Sequence, residues 1–260
     1  MAQRFRSFVA LGDSFTEGMN DRRPDGGFRG WADLTAERLA DEDPQFRYAN
    51  LAVRGRLFDA IVDDQVPEAL RLRPELVSLA AGGNDVLRPN FHPARMATRL
   101  HEAVRVLSAS GAHVLLITAS TVSDRLPVAG VLRHRFLALN DLIRRVAARH
   151  DATVVDLWPD ETFHDNRLWS EDRLHMSSVG HRRVAGHVCR ELGVAFDPAW
   201  LAAPDSAGPA AGWLSRRRDD AAWMRRHLAP WVQRRLTGRS SGDTVTAKRP
   251  RLAPIRSEGA

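Results

Sequence analysis

The chain has 260 residues, 43% hydrophobic, 27% charged and 7% aromatic. This is ordinary globular usage, and it excludes collagen, coiled-coil arrays and wholesale disorder. The longest apolar runs, such as residues 114–117, fall far short of the ~20 residues needed to span a bilayer. Only residues 8–11 are apolar between the charged N-terminus and Gly12-Asp13. That is shorter than a secretory apolar stretch of about 7–15 residues, so a cytoplasmic protein is expected. A single cysteine, Cys189, leaves no intrachain disulfide framework and no Cys-rich metal site. The charge is unevenly placed: residues 201–260 hold 12 Lys and Arg against 5 Asp and Glu, whereas residues 1–200 hold 26 against 27. Basicity therefore belongs to the tail, and it does not mark the body as a nucleic-acid binder.

Short apolar runs alternate with helical patterns from residue 6 to 196. Residues 8–11 read as a buried strand, and 31–39 as a helix ended near Pro44. Residues 48–53 form a second strand. Leu57, Ile61, Val62, Val66, Ala69 and Leu70 recur at helical spacing before Pro74. A third strand, 76–81, ends in Gly82-Gly83, and Met96, Leu100, Val104 and Leu107 form a helical stripe that stops at Gly111. Then follow a strand at 113–118, a helix at 136–148, a strand at 153–157 and a helix at 179–192 ended by Gly193. Strands alternating with helices of 10–15 residues imply βαβ units and a five-stranded parallel sheet covered on both faces. Right-handed crossovers make this a three-layer α/β/α sandwich.

The catalytic-type domain is expected to end near residue 200. Residues 201–212 have the Ala, Pro, Gly and Ser content of a linker. Residues 213–236 carry Trp213, Trp223 and Trp231 among arginines, and Pro230 splits a helical pattern there. Residues 237–260 read as a disordered tail.

Four segments at strand ends carry the chemistry. Gly12-Asp13-Ser14 directly follows the first strand, where ligands of open α/β sheets bind. Ser14 is there either an exposed nucleophile or the N-cap of a tight turn. Asp172-Arg173-Leu174-His175 precedes the last helix. An Asp three residues before a His can fix its tautomer within one loop, or the two can form a solvated pair. Gly55 follows the second strand and Asn84, in Gly82-Gly83-Asn84-Asp85, the third. A glycine N–H and an Asn amide suit an oxyanion, though such glycines also serve turns of positive φ.

All four segments together, in this order, resemble the GDSL/SGNH family of serine hydrolases over about residues 6–195. The family's Ser, Gly, Asn and His correspond to Ser14, Gly55, Asn84 and His175. The resemblance implies a flavodoxin-like sheet of order 2-1-3-4-5. It implies Ser14 as nucleophile, His175 as base and Asp172 as the acid orienting it. The Ser14 and Gly55 N–H groups and the Asn84 side chain would form the oxyanion hole, with Asp13 and Asp85 in support. Phe15 replaces the leucine of the usual motif, and Met176 stands where proline often follows the histidine. The implied activity is hydrolysis of short- or medium-chain carboxylic esters through an acyl-enzyme. Sugar-ester deacetylation and lysophospholipid or thioester cleavage are variants on the same site.

Several other features compete. Gly238-Arg239-Ser240-Ser241-Gly242 matches a Gly-x-Ser-x-Gly elbow but lacks the strand and helix that motif needs. Asp160, His164, Asp165, Asp172 and His175 cluster in sequence without metal-ligand spacing, so neither metal nor cofactor is expected. Cys189 sits on the apolar side of its helix and reads as core. Loops at residues 20–28, 87–93 and 120–134 are expected to set specificity, with Leu126, Val128, Val131 and Leu132 either walling an acyl pocket or packing under the loop. Arg29, Arg54 and Arg88 could meet an anionic substrate or stay in solvent. A small-molecule ester is the expected partner and nucleic acid is not. The basic tail is the basis for an alternative of another class, binding to an anionic membrane surface or to nucleic acid; docking of its tryptophans onto the body is favoured over it.

Overall fold

Five strands form the parallel body of one sheet: β1 (Ser7–Gly12), β2 (Arg47–Asn50), β3 (Leu76–Ala80), β4 (His113–Ile117) and β5 (Thr153–Val155). A sixth, β6 (Arg249–Pro254), closes the edge, giving the order β5-β4-β3-β1-β2-β6. β1 is central, with Val9 opposite Ala49 of β2 and Val77 of β3. The computed structural model describes residues 4–121, 129–204, 223, 225, 226 and 241–255. The loop holding Leu126 and Val128, most of the 213–236 extension with Trp213 and Trp231, and Gly238–Ser240 of the elbow-like motif lie outside these residues.

The helices are α1 (Ser14–Glu17), α2 (Gly30–Glu42), α3 (Phe58–Ala60), α4 (Val66–Leu72), α5 (Gly83–Val86), α6 (Pro93–Ala109), α7 (Ala129–His150) and α8 (Ser178–Leu192). A π-helical turn, Ile61–Gln65, joins α3 to α4. On one side of the sheet α2 packs against α8; on the other α6 packs against α4 and α7. β1 and β3 are buried along nearly their whole length, as strands covered on both faces must be. Trp31, Tyr48, Phe8 and Leu115 are among the largest fully buried side chains of a continuous core, with the Phe8 and Tyr48 rings stacked at 5.3 Å. Cys189 belongs to that core, where burial pushes its thiol up to about 12. Among the described residues no helix is long and apolar enough to cross a membrane.

The expected three-layer α/β/α fold and strand order stand, but the sheet has six strands rather than five. The correction falls on the tail. Residues 241–255 do not run free: β6 pairs antiparallel with β2, placing Tyr48 opposite Ala253 and Asn50 opposite Arg249. Pro250 and Pro254 fit this place, since a proline is tolerated on a sheet edge. The tail's own apolar content is low, but it borrows backbone hydrogen bonds from an otherwise open strand. Trp223 is also buried, with the Arg173 guanidinium 5.2 Å over its ring.

Candidate active site

The sharp turn from β1 into α1 sets the site. Asp13 caps α1, its Oδ1 accepting from the Phe15 N–H at 3.1 Å, and Ser14 opens the helix. Gly12 is required just before it, because a Cβ there would lie 2.4 Å from Thr16 Oγ1 and 2.6 Å from the Ala80 carbonyl. Gln65, brought inward by the π turn, holds the Gly12 peptide units: the Gly12 N–H donates to Oε1 at 2.8 Å and Nε2 donates to the Gly12 carbonyl at 2.9 Å.

The loop between β5 and α8 brings its residues to the same end of the sheet. An isolated bridge between Trp169 and Met176 closes it, and Arg173 takes a left-handed φ of 58° within it. His175 Nε2 lies 2.9 Å from Ser14 Oγ, and His175 Nδ1 lies 2.6 Å from Asp172 Oδ2. The three residues are thus in hydrogen-bonded series across 161 positions of sequence. Asp172 is held by more than the histidine. Its Oδ1 accepts from Ser170 Oγ at 2.7 Å and from the His175 and Leu174 N–H groups at 2.9 and 3.0 Å. Its Oδ2 also accepts from Asn20 Nδ2 at 2.9 Å. Burial pushes the Asp172 carboxyl up, but the hydrogen bond and charge of His175, with these N–H donors, hold it well below the usual carboxylate range. It is therefore ionised throughout the physiological range.

Asn84 lies in α5, whose preceding Gly82 has a left-handed φ of 99° that strains any other residue, with Leu139 Cδ1 2.9 Å from where a Cβ would stand. Asn84 Nδ2 donates to Asp13 Oδ2 and to the Arg56 carbonyl, both at 3.0 Å. Both its hydrogens are thus engaged in this resting arrangement. Asp85 Oδ2 accepts from the Phe58 N–H at 2.9 Å, tying α5 to the start of α3. Burial raises the carboxyls of Asp13 and Asp85 to about 6 each. Gly55 follows Val53 in the turn after β2 at a φ of 74°.

Ser14, His175, Asn84 and Asp13 line one cavity of about 130 Å³; Gly55, Asp85 and Asp172 do not. Its far wall is apolar: Ile117, Phe136, Leu139, Ile143, Leu157 and Trp169. His181 also faces it, and burial pushes that imidazole down to about 4, so it is neutral. Its Nδ1 accepts from the Trp31 N–H and its Nε2 donates to the Met19 carbonyl, each at 3.3 Å.

Of the three arginines that could meet an anionic substrate or stay in solvent, two are committed internally. Arg29 Nε donates to Glu37 Oε1 at 3.0 Å, and Arg54 Nε donates to Glu17 Oε1 at 3.0 Å. Burial lowers the Arg88 pKa from its ordinary value. The acidic residues weighed as metal ligands are likewise engaged: Asp160 with Arg183 and His187, Asp165 with Arg167. Val131 is 57% exposed, whereas Leu132 is buried in the core. Asn20, Ser170, Gln65 and His181 escaped the sequence reading. Asn20, Gln65 and His181 act through contacts spanning 50 residues or more, which leave no local signal, whereas Ser170 stands two residues before Asp172 as one serine of a polar loop, with no pattern that sets it apart.

A Ser, a His and an Asp in hydrogen-bonded series at one end of an open α/β sheet is an arrangement that hydrolases with a serine nucleophile use. The profile of the GDSL-like Lipase/Acylhydrolase family matches residues 10–183, and the chain belongs to that family of ester-bond hydrolases. Esterase TesA of Pseudomonas aeruginosa is 33% identical over 89 residues, which are 34% of this chain and 44% of that protein. The chain therefore matches less than half the length of that curated relative. Among solved structures, LAE5, an α/β hydrolase from the metagenome of Lake Arreo, Spain, superposes with a TM-score of 0.62 at 23% identity, covering 72% of this chain and 95% of its own. Axe2, an acetylxylan esterase from Geobacillus stearothermophilus, superposes with a TM-score of 0.60 at 17% identity, over 76% and 97%. At these identities the two structures establish a shared fold.

Proposed function

We propose that the protein is a serine esterase for carboxylic esters of short to medium acyl chain, working through Ser14, His175 and Asp172. The observation that carries this reading is the unbroken series Asp172 Oδ2, His175 Nδ1, His175 Nε2, Ser14 Oγ, at 2.6 and 2.9 Å. His175 Nε2 takes the Ser14 proton as Oγ attacks the acyl carbon. Asp172, already ionised, stabilises the imidazolium that forms and keeps Nδ1 the protonated nitrogen of the resting ring. The oxyanion is held by the Ser14 and Gly55 N–H groups and by Asn84, which releases the Arg56 carbonyl to reach it. His175 then returns the proton to the departing alcohol, and water, deprotonated by the same nitrogen, hydrolyses the acyl-serine.

The cavity argues the chain length. An engineered apolar cavity of ~150 Å³ accepts benzene, so about 130 Å³ suits an acyl chain of roughly four to six carbons. An acetyl group would leave the wall of Phe136, Leu139 and Ile143 unfilled. This favours a butyryl- or hexanoyl-type ester over the acetyl-sugar linkage suggested by the name of Axe2. A thioester of similar length would use the same machinery. The test is hydrolysis of p-nitrophenyl esters from acetate to palmitate by the wild type and Ser14→Ala. The expected result is a kcat/KM maximum between butyrate and hexanoate and loss of turnover in the variant. A wild type inactive on every ester, or an active Ser14→Ala, refutes the reading.

A further inference from the structure

We propose that residues 241–255 are a positioning element of the active site, fixing the Arg54–Gly55 peptide and so the direction of the Gly55 N–H. The inference rests on Gly55 serving as oxyanion donor, as read above. Three contacts bear on that peptide, one directly and two through Arg54 and Glu17, and two of the three come from the tail.

The first is steric. A Cβ on Gly242 would lie 1.9 Å from the Arg54 carbonyl oxygen, 3.1 Å from its carbon and 3.2 Å from Val53 Cγ1. The backbone of the tail therefore lies directly on the Arg54 carbonyl, an approach only glycine permits. The carbonyl of Arg54 and the N–H of Gly55 are opposite ends of one planar peptide unit. Whatever limits the tilt of the carbonyl limits the aim of the N–H to the same degree.

The second contact holds the other side of Arg54. Its N–H donates to Glu17 Oε2 at 2.8 Å, and its guanidinium also grips the Glu17 carboxylate. Glu17 closes α1, three residues after Ser14. Nucleophile and oxyanion donor are thus referred to one buried carboxylate. The third contact ties that carboxylate's residue back to the tail. Lys248 Nζ donates to the carbonyls of Glu17 at 2.6 Å, Arg29 at 2.8 Å and Phe28 at 3.1 Å, and pairs with buried Asp33. Lys248 is the sole lysine of the chain, and its ammonium supplies three donors to this ring of acceptors. The pairing of β6 with β2 begins at Arg249, opposite Asn50, and so anchors the tail one residue after Lys248. Nothing in the hydrolytic steps requires a lysine here, and a surface tail needs no buried ion pair.

The test is Gly242→Ala in the full chain, assayed on matched p-nitrophenyl oxo- and thionoesters. An oxyanion hole is built for oxygen, so the oxo-to-thiono rate ratio reports how well its donors are aimed. Misaiming a donor by a fraction of an ångström is expected to lower kcat about tenfold, less than the ~10²–10³ of removing one, with KM changed less than about twofold. The oxo-to-thiono ratio is expected to fall in parallel. Val104→Ala, a core truncation in α6, lowers stability and is expected to leave the ratio unchanged. A Gly242→Ala enzyme with wild-type kcat and ratio overturns the proposal while leaving the esterase reading intact. If the wild type hydrolyses no ester, ¹⁵N-glycine labelling still decides. The Gly55 amide resonance, identified through Gly55→Ala, is expected to move in Gly242→Ala and in Lys248→Met, while distant Gly111 stays in place. An unmoved Gly55 resonance refutes the tail's role independently of activity.

Discussion

Asn20 donates through one amide nitrogen to both Asp172 Oδ2 at 2.9 Å and Ser170 Oγ at 2.8 Å, and it does so from a left-handed backbone φ of 74°. Two substitutions separate these roles. Asn20→Gly removes the amide and keeps the backbone at ease, whereas Asn20→Ala removes the amide and adds strain of about 1 kcal/mol or more at positive φ. A hydrogen bond to a charged group contributes ~1.5–3 kcal/mol. Asp172 keeps four other donors here, and its side chain is 19% exposed, so water replaces part of the loss. The remaining cost to carboxylate placement is on the order of 1–1.5 kcal/mol, close to a tenfold fall in kcat/KM for either variant. Stability should distinguish the pair, with Asn20→Ala melting about 2–4 °C below Asn20→Gly. The assay is p-nitrophenyl butyrate hydrolysis beside thermal unfolding. An Asn20→Gly enzyme within twofold of wild type would show that Ser170 and the loop N–H groups suffice, and that Asn20 is only a turn residue.

Gln65→Leu removes the Gln65 partner of the buried Gly12 N–H and leaves its C=O with the Val53 N–H alone, at 3.3 Å, and is expected to cost about 1–3 kcal/mol, read as a lowered urea midpoint. Unchanged stability would mean that the π turn is not set by this pair. His181 is neutral when folded because burial pushes it down to about 4 from 6.5. Between those values the unfolded chain binds the extra proton, so this group's contribution to stability is complete above pH 6.5 and lost as pH falls towards 4. Replacement by His181→Gln, which can keep both hydrogen bonds, should flatten the urea midpoint between pH 4 and 6.5 relative to wild type. Parallel profiles would refute the assignment.

The strands and helices of the body were legible because burial on both faces writes itself into local pattern. β1 and β3 read as apolar runs, α6 as Met96, Leu100, Val104 and Leu107 on one stripe. Ser14 and His175 stand out in the sequence for a different reason: Ser14 belongs to a short motif directly after β1, and His175 to a short Asp-Arg-Leu-His motif in the loop between β5 and α8. The sequence by itself determined the α/β/α sandwich and the residue types available for catalysis. Only the tertiary structure decided how they are held. Asn20 meets Asp172 across 152 positions, Lys248 reaches Glu17 across 231, and neither partner alters the periodicity around the other. The tail reads as structureless for the same reason. A strand that gains its hydrogen bonds and its buried lysine from elsewhere in the chain carries no core of its own, and pattern in sequence records only what a segment buries for itself.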